Sequence, residues 1–197
     1  MKRDGFVYLP RRSELDLVEV IEALGHPIYI EEVRVDGNGR ALVKSWDGIS
    51  WHTDHHRADT ILWHGREAAE AGGETLVVDG LAAFSTLSAH HRAALREVVL
   101  LEHSVFDGDS DRHPMITGTE DRVALYYSLW LVDDELPEAQ AAALRAFEDA
   151  VSRCPHHRFR LERGDLLAID NRRMLHARTA IEGTRHLRRY WLATAST

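Results

Sequence analysis

The chain has 197 residues, 44% of them hydrophobic and 28% charged, a balance that argues against disorder and is long enough for a substantial core in one domain spanning 1–197. A net charge of −8 disfavours nucleic acid as a partner. The single cysteine, Cys154, rules out an intrachain disulfide and fits a cytoplasmic protein, and no apolar stretch is long enough to span a bilayer.

In chain order, Gly5–Leu9 reads as a first strand. Ser13 caps a helix over Ser13–Leu24 with Leu15, Val18, Ile21 and Leu24 on its apolar face. Ile28–Val35 and Ala41–Trp46 flank Asp36-Gly-Asn-Gly39, a hairpin signal. Asp59–Glu67 and Glu74–Val78 read as strands, Leu81–Leu87 and Ala89–Val98 as helices, and Arg122–Ser128 as a strand. Pro137–Ser152, with proline in its first turn and an alanine-rich interior, is the clearest helix. Leu166–Ile169 follows the Gly164-Asp165 turn, Asp170–Arg173 interrupts, Met174–Arg178 resumes, and Ala180–Thr184 leads to a closing strand, Arg185–Leu192.

The chemistry concentrates in His52-Thr53-Asp54 and the distant His176. Side chains at i and i+2 of an extended segment share a side, so His52 and Asp54 can grip one ion while Thr53 points away. With His176 they form a 2-His-1-carboxylate set, which holds Fe(II) on one face and leaves the opposite face open to a co-substrate and O₂. A His-x-Asp tripeptide is weak alone in a chain with thirteen histidines; His113 and His156 have no such setting. Downstream, Arg172 to Arg189 carries six arginines and one acid, Glu182, and Arg185, Leu187 and Arg189 share one strand face. Paired guanidiniums suit the capture of carboxylates, so a small anionic molecule is the expected ligand.

These pieces together resemble the TauD/TfdA-type (clavaminate synthase-like) Fe(II)- and 2-oxoglutarate-dependent dioxygenases. The matching stretches are Trp51–Asp54, Gly72–Leu76 with Asp79, His113-Pro114 before Val123–Tyr127, Gly164–Asn171 leading to Leu175-His176, and Arg185–Tyr190. The resemblance implies a mainly β fold, a double-stranded β-helix (jelly-roll) core with external helices. It implies His52, Asp54 and His176 as iron ligands, and Thr75 and Arg185 as binders of the distal carboxylate of 2-oxoglutarate. Arg189 falls where relatives place an arginine near the substrate or the other end of the co-substrate, and it could exchange roles with Arg185. The retained carboxylate Asp54 points to hydroxylation or a related oxidation rather than chlorination.

The expected substrate is a small anionic metabolite, an amino acid or related acid first, free or tethered to a carrier. The alternatives are a jelly-roll module that binds metal and anion without oxidation, and a zinc hydrolase built on the same triad. Trp51 and Trp63 read as core, Arg172, Arg173 and Arg178 as rim or scaffold, His55 and His56 as exposed loop residues, and Asp170 and Asn171 as caps of the turn before the ligand strand. Oligomeric state is not legible.

Overall fold

The structure is a computed structural model that describes all residues except 2, 36–41, 102–104, 110–111, 120–121 and 195–197. The strands are β1 (Phe6–Leu9), β2 (His26–Val35), β3 (Ile49–His52), β4 (Thr60–Glu67), β5 (Ala71–Gly72), β6 (Thr75–Asp79), β7 (Val99–Leu101), β8 (Arg112–Pro114), β9 (Ile116–Thr117), β10 (Ala124–Leu125), β11 (His156–Phe159), β12 (Leu166–Asp170), β13 (Met174–Arg178), β14 (Ile181–Glu182) and β15 (Arg185–Ala193). The helices are α1 (Glu14–Leu24), α2 (Gly80–Ser85), α3 (Ala89–Arg96) and α4 (Glu138–Arg153). One sheet runs β1-β12-β4-β15-β2 and a second runs β11-β6-β13-β3, with antiparallel pairing in both.

Period-two alternation explains how the two sheets become a jelly-roll. On β4 and β12, Ile61, Trp63, Leu167 and Ile169 point inward to meet Val77 of β6 and Met174 of β13. Between them, Leu62, Leu166 and Ala168 point outward under α1 with Tyr190 and Leu192. Across the molecule, Val78 and Leu175 face out of the second sheet toward Phe84, Leu95, Leu144 and Phe147 of α2–α4. Both faces of the central strands are covered, so they read as unbroken apolar runs rather than as alternating ones. Among the described residues, no helix is long and apolar enough to cross a membrane.

The mainly β jelly-roll with external helices matches the expectation; several local assignments do not. Helix α1 starts where predicted: Ser13 accepts from the Asp16 amide, and the Asp16 carboxylate accepts from the Ser13 amide, closing a capping box. Its buried face, however, is Leu17, Val20, Ile21 and Leu24; Leu15 is 79% exposed and Val18 faces solvent. Two apolar stripes are available at helical spacing, and only the sheet chooses between them. The strand expected at Ala41–Trp46 is instead a short 3₁₀ turn at Leu42–Lys44. Arg178 dictates this, donating to the carbonyls of Val43, Ser45 and Asp47 and so removing them from any ladder. The hairpin at 36–39 lies outside the described residues. Of Arg122–Ser128, only Ala124–Leu125 pairs as a strand, against β9.

Candidate metal centre and its two cavities

His52 and His176 are direct cross-strand partners on β3 and β13, which sends both imidazoles to the same inner face. Asp54 lies two residues beyond the end of β3. The chain stays extended there because the Thr53 amide donates to the Tyr127 carbonyl at 2.7 Å while Thr53 Oγ1 accepts from the Tyr127 amide at 3.0 Å. One donor atom from each of His52, Asp54 and His176 lies within 4.8 Å of the others, and all three residues are buried. Asp54 Oδ1 is 3.9 Å from His52 Nε2 and 3.8 Å from His176 Nε2.

The donor chemistry fits a divalent metal. His52 Nδ1 bonds the Ser50 carbonyl at 2.8 Å, which fixes the proton on Nδ1 and turns the Nε2 lone pair toward Asp54. Burial holds the His52 imidazole below its ordinary pKa, and burial followed by the His52 neighbour holds His176 well below its own, so both rings are neutral at pH 7, the form a metal ligand requires. Burial alone would raise Asp54, but the Arg189 guanidinium and the Trp191 N–H keep it below the usual carboxylate range.

Asn171 fixes the backbone of this segment. Its Oδ1 accepts from the Asp54 amide at 2.9 Å, and its Nδ2 donates to the carbonyls of Ala58, His55 and Asp54. Asn171, expected to cap its own turn, instead reaches across with its side chain to the segment that carries Asp54. His55, expected in an exposed loop, is buried and lies 3.2 Å from Asp109 Oδ2. His56 stacks on His113 with ring centroids 4.0 Å apart.

The inner face of β15 carries Arg185, Leu187, Arg189 and Trp191, as period two requires. Arg185 is buried, and its Nη2 donates to Thr75 Oγ1 at 3.1 Å. Among the described residues no carboxylate pairs with it; burial, with Arg178 nearby, lowers it to about 9, still charged at pH 7. Gly73 permits this close packing: its φ is +69°, and a Cβ there would stand 3.1 Å from Arg185 Cδ. Arg189 Nη1 donates to both oxygens of Asp54, at 2.9 and 3.0 Å, and its Nη2 donates to Glu31 at 2.7 Å. Arg172 instead pairs with Asp59, Arg173 with Asp79, and Arg178 with carbonyls, so these three are scaffold, as expected. Trp51 packs against the α2–α4 core; Trp63 is core but also lies against His176 at 4.9 Å.

Two cavities meet at the triad. A narrow one is lined by Thr75, Arg185, His176, Trp63, Leu187 and Arg189. A larger one, of about 670 Å³, is lined on its polar side by Glu31, His52, Asp54, His55, Ser128 and Arg189. Its apolar walls include Val105, Trp130 and Trp191. Two residues of this site escaped the sequence reading. Trp191 continued the Arg185–Arg189 alternation and could have been found by extending it. Glu31 carried no signal of its own.

The fold and the site define a jelly-roll protein with a buried two-histidine, one-carboxylate centre open to two cavities. The sequence matches the family described as taurine catabolism dioxygenase TauD, TfdA family, over residues 2–191, and the chain belongs to that family of Fe(II)- and 2-oxoglutarate-dependent oxygenases. No match was found among curated proteins. Among solved structures, an asparagine oxygenase in complex with Fe(II), 2S,3S-3-hydroxyasparagine and succinate is 18% identical, with a TM-score of 0.78 over 97% of this chain and 75% of that one. The non-heme iron oxygenase OrfP with Fe and alpha-ketoglutaric acid is 17% identical, with a TM-score of 0.75 over 98% and 76%. A taurine dioxygenase from Burkholderia xenovorans is 21% identical, with a TM-score of 0.72 over 98% and 78%. These likenesses show the shared fold.

Proposed function

We propose that the protein hydroxylates an unactivated C–H of a small amino acid or closely related acid, consuming 2-oxoglutarate and O₂ and releasing succinate and CO₂. His52, Asp54 and His176 hold the Fe(II), Thr75 and Arg185 hold the distal carboxylate of 2-oxoglutarate, and Arg189 serves the substrate. The observation that carries this reading is the buried Arg185 guanidinium, which has a hydroxyl partner and, among the described residues, no carboxylate, in the cavity that adjoins the triad. A buried cation without a counter-charge is costly, and a dicarboxylate bound there would supply the missing charge. The iron, when bound, supplies the oxidising chemistry.

The chain's own residues then do the rest. Arg185 and Thr75 orient the co-substrate, Trp63 and Leu187 keep water from its stem, and the larger cavity positions the substrate beside the metal face. That cavity presents an anion and a cation side by side, Glu31 and Arg189, 2.7 Å apart. Such a pair complements the ammonium and carboxylate of an α-amino acid. The crystallised relatives carrying hydroxyasparagine and (3S)-hydroxy-L-Arg support the same class. Cys154, free and half-buried, fits work in a reducing compartment such as the cytoplasm.

The test is an anaerobic titration with Fe(II) and 2-oxoglutarate, watched for the visible charge-transfer band of the chelate, followed by succinate release against a panel of amino acids. The band is expected in the wild type and absent in His176→Ala. Iron binding without a band would leave this reading without its support.

A further inference from the structure

We propose that Trp191 is a positioning residue that restricts Asp54 to ligation through a single oxygen, Oδ1. This rests on the iron reading above. A carboxylate has two oxygens and can bind a metal through one or both. With two histidines and one carboxylate oxygen, a six-coordinate ion keeps three open positions; a chelating carboxylate would leave two. The proposed reaction needs three, two for 2-oxoglutarate and one for O₂. Something must therefore make the two oxygens of Asp54 unequal.

Arg189 cannot do so. Its Nη1 lies 2.9 Å from Oδ1 and 3.0 Å from Oδ2, which treats them alike. Trp191 does distinguish them: Nε1–H donates to Oδ2 at 2.8 Å, while Oδ1 is the oxygen that faces His52 and His176. An N–H directed at one lone-pair region of Oδ2 opposes rotation of the carboxylate onto a cation. Tight ligand geometry in metal sites generally depends on such outer partners.

The indole is itself held in place. Trp191 is buried on β15, two residues beyond Arg189 and on the same face. Its ring packs against Tyr29 at 4.7 Å and stacks with His55 at 5.6 Å, 24° between planes. The Arg189 guanidinium lies over the same ring at 5.3 Å. A ring gripped on several sides keeps its N–H aimed whether or not the carboxylate is loaded.

The experiment counts water on the metal. Mn(II) is added to wild type, Trp191→Phe and Trp191→His in the absence of 2-oxoglutarate, and exchangeable first-sphere waters are measured by water-proton relaxation and by ¹⁷O broadening of the Mn(II) resonance. Wild type is expected to hold three waters. Trp191→Phe, which lacks the N–H, is expected to hold two, lowering the inner-sphere relaxation by about a third. Trp191→His, which restores a ring N–H, is expected to return to three. A merely structural role for the indole would alter thermal stability in both variants without altering the count. Three waters in Trp191→Phe would overturn the assignment, as would two in Trp191→His should the phenylalanine variant fail to fold. A wild type that binds no Mn(II) is a separate result: it overturns the metal reading and this inference with it.

Discussion

Arg185 and Thr75 meet across the interior, guanidinium to hydroxyl at 3.1 Å, on strands separated by more than a hundred residues of sequence. The pairing leaves a buried positive charge in the free protein. Replacing Arg185 with Met removes that charge while keeping the volume of the stem. The free protein should gain about 1 kcal/mol, or roughly 2–4 °C in Tm, because replacing a buried ion by a packed apolar group is often neutral to stabilising. The same substitution should weaken 2-oxoglutarate on the order of 100-fold, as expected for loss of one side of a buried charge pair. Thermal shift assays with Mn(II), with and without 2-oxoglutarate, read both effects. A variant that is less stable alone yet still stabilised by 2-oxoglutarate would show that Arg185 is a structural residue.

Glu31 and Arg189 form the charged wall of the larger cavity, and Lys44 lies 3.5 Å from the same carboxylate. Glu31→Gln keeps the shape and removes the anion. If Glu31 receives the substrate ammonium, KM should rise on the order of 10–100-fold, since a charge-assisted hydrogen bond contributes about 1.5–3 kcal/mol. Succinate release in the absence of amino acid should stay as in wild type. A KM within about twofold of wild type would move the substrate ammonium elsewhere.

What could be read in the sequence followed from short-range rules. The alternation of Arg185, Leu187 and Arg189, the Ser13 cap and the His-x-Asp spacing each depend on residues a few positions apart, and each stands in the structure as read. What could not be read depends on tertiary partners. The apolar stripe of α1 is chosen by Leu62, Leu166 and Tyr190 of the sheet beneath it, not by the helix. The turn at Leu42–Lys44 exists because Arg178 takes the carbonyls of a segment more than a hundred residues away. His55 reads as exposed because its partner Asp109 and its neighbours Phe106 and Trp191 lie far along the chain. The clustering of His52, Asp54 and His176 was legible, but not the hydrogen bonds that hold the three in place.

Asn171 illustrates that second layer. Its one amide group serves the Asp54 amide and three carbonyls, and both Asn171 and Ala58 are fully enclosed. Asn171→Ala takes the side-chain partner from the Asp54 amide and the Ala58 carbonyl, while the His55 carbonyl keeps the Ala58 amide, at about 1–3 kcal/mol for each buried group that water cannot reach. An overall loss of about 2–4 kcal/mol is expected, seen as a lower midpoint with an unchanged slope in urea unfolding. Metal affinity should fall as well, because the segment between Asp54 and Ala58 is no longer held in register. Wild-type stability in this variant would mean that the loop is kept in shape by other contacts.

Asp109 anchors the segment that carries Val105, in the wall of the larger cavity. Its carboxylate is inaccessible to solvent and accepts from the amides of Phe106 and Val105, with Arg57 at 2.7 Å and His55 at 3.2 Å. Burial would raise its pKa, yet those amides, His55 and Arg57 hold it below the usual carboxylate range, so it is ionised at neutral pH. The result is that Val105, which lines the cavity, is tied to the segment that follows Asp54. Asp109→Asn keeps the size and loses the charge that gathers these donors. The wall should loosen: KM for the amino acid should rise several-fold, and a larger share of 2-oxoglutarate should be consumed without product, because water reaches the metal face. Affinity for Mn(II) should stay close to wild type, since no ligand is altered. Measuring succinate and hydroxylated product side by side gives the coupling ratio. An unchanged ratio together with an unchanged KM would show that this wall needs no anchor.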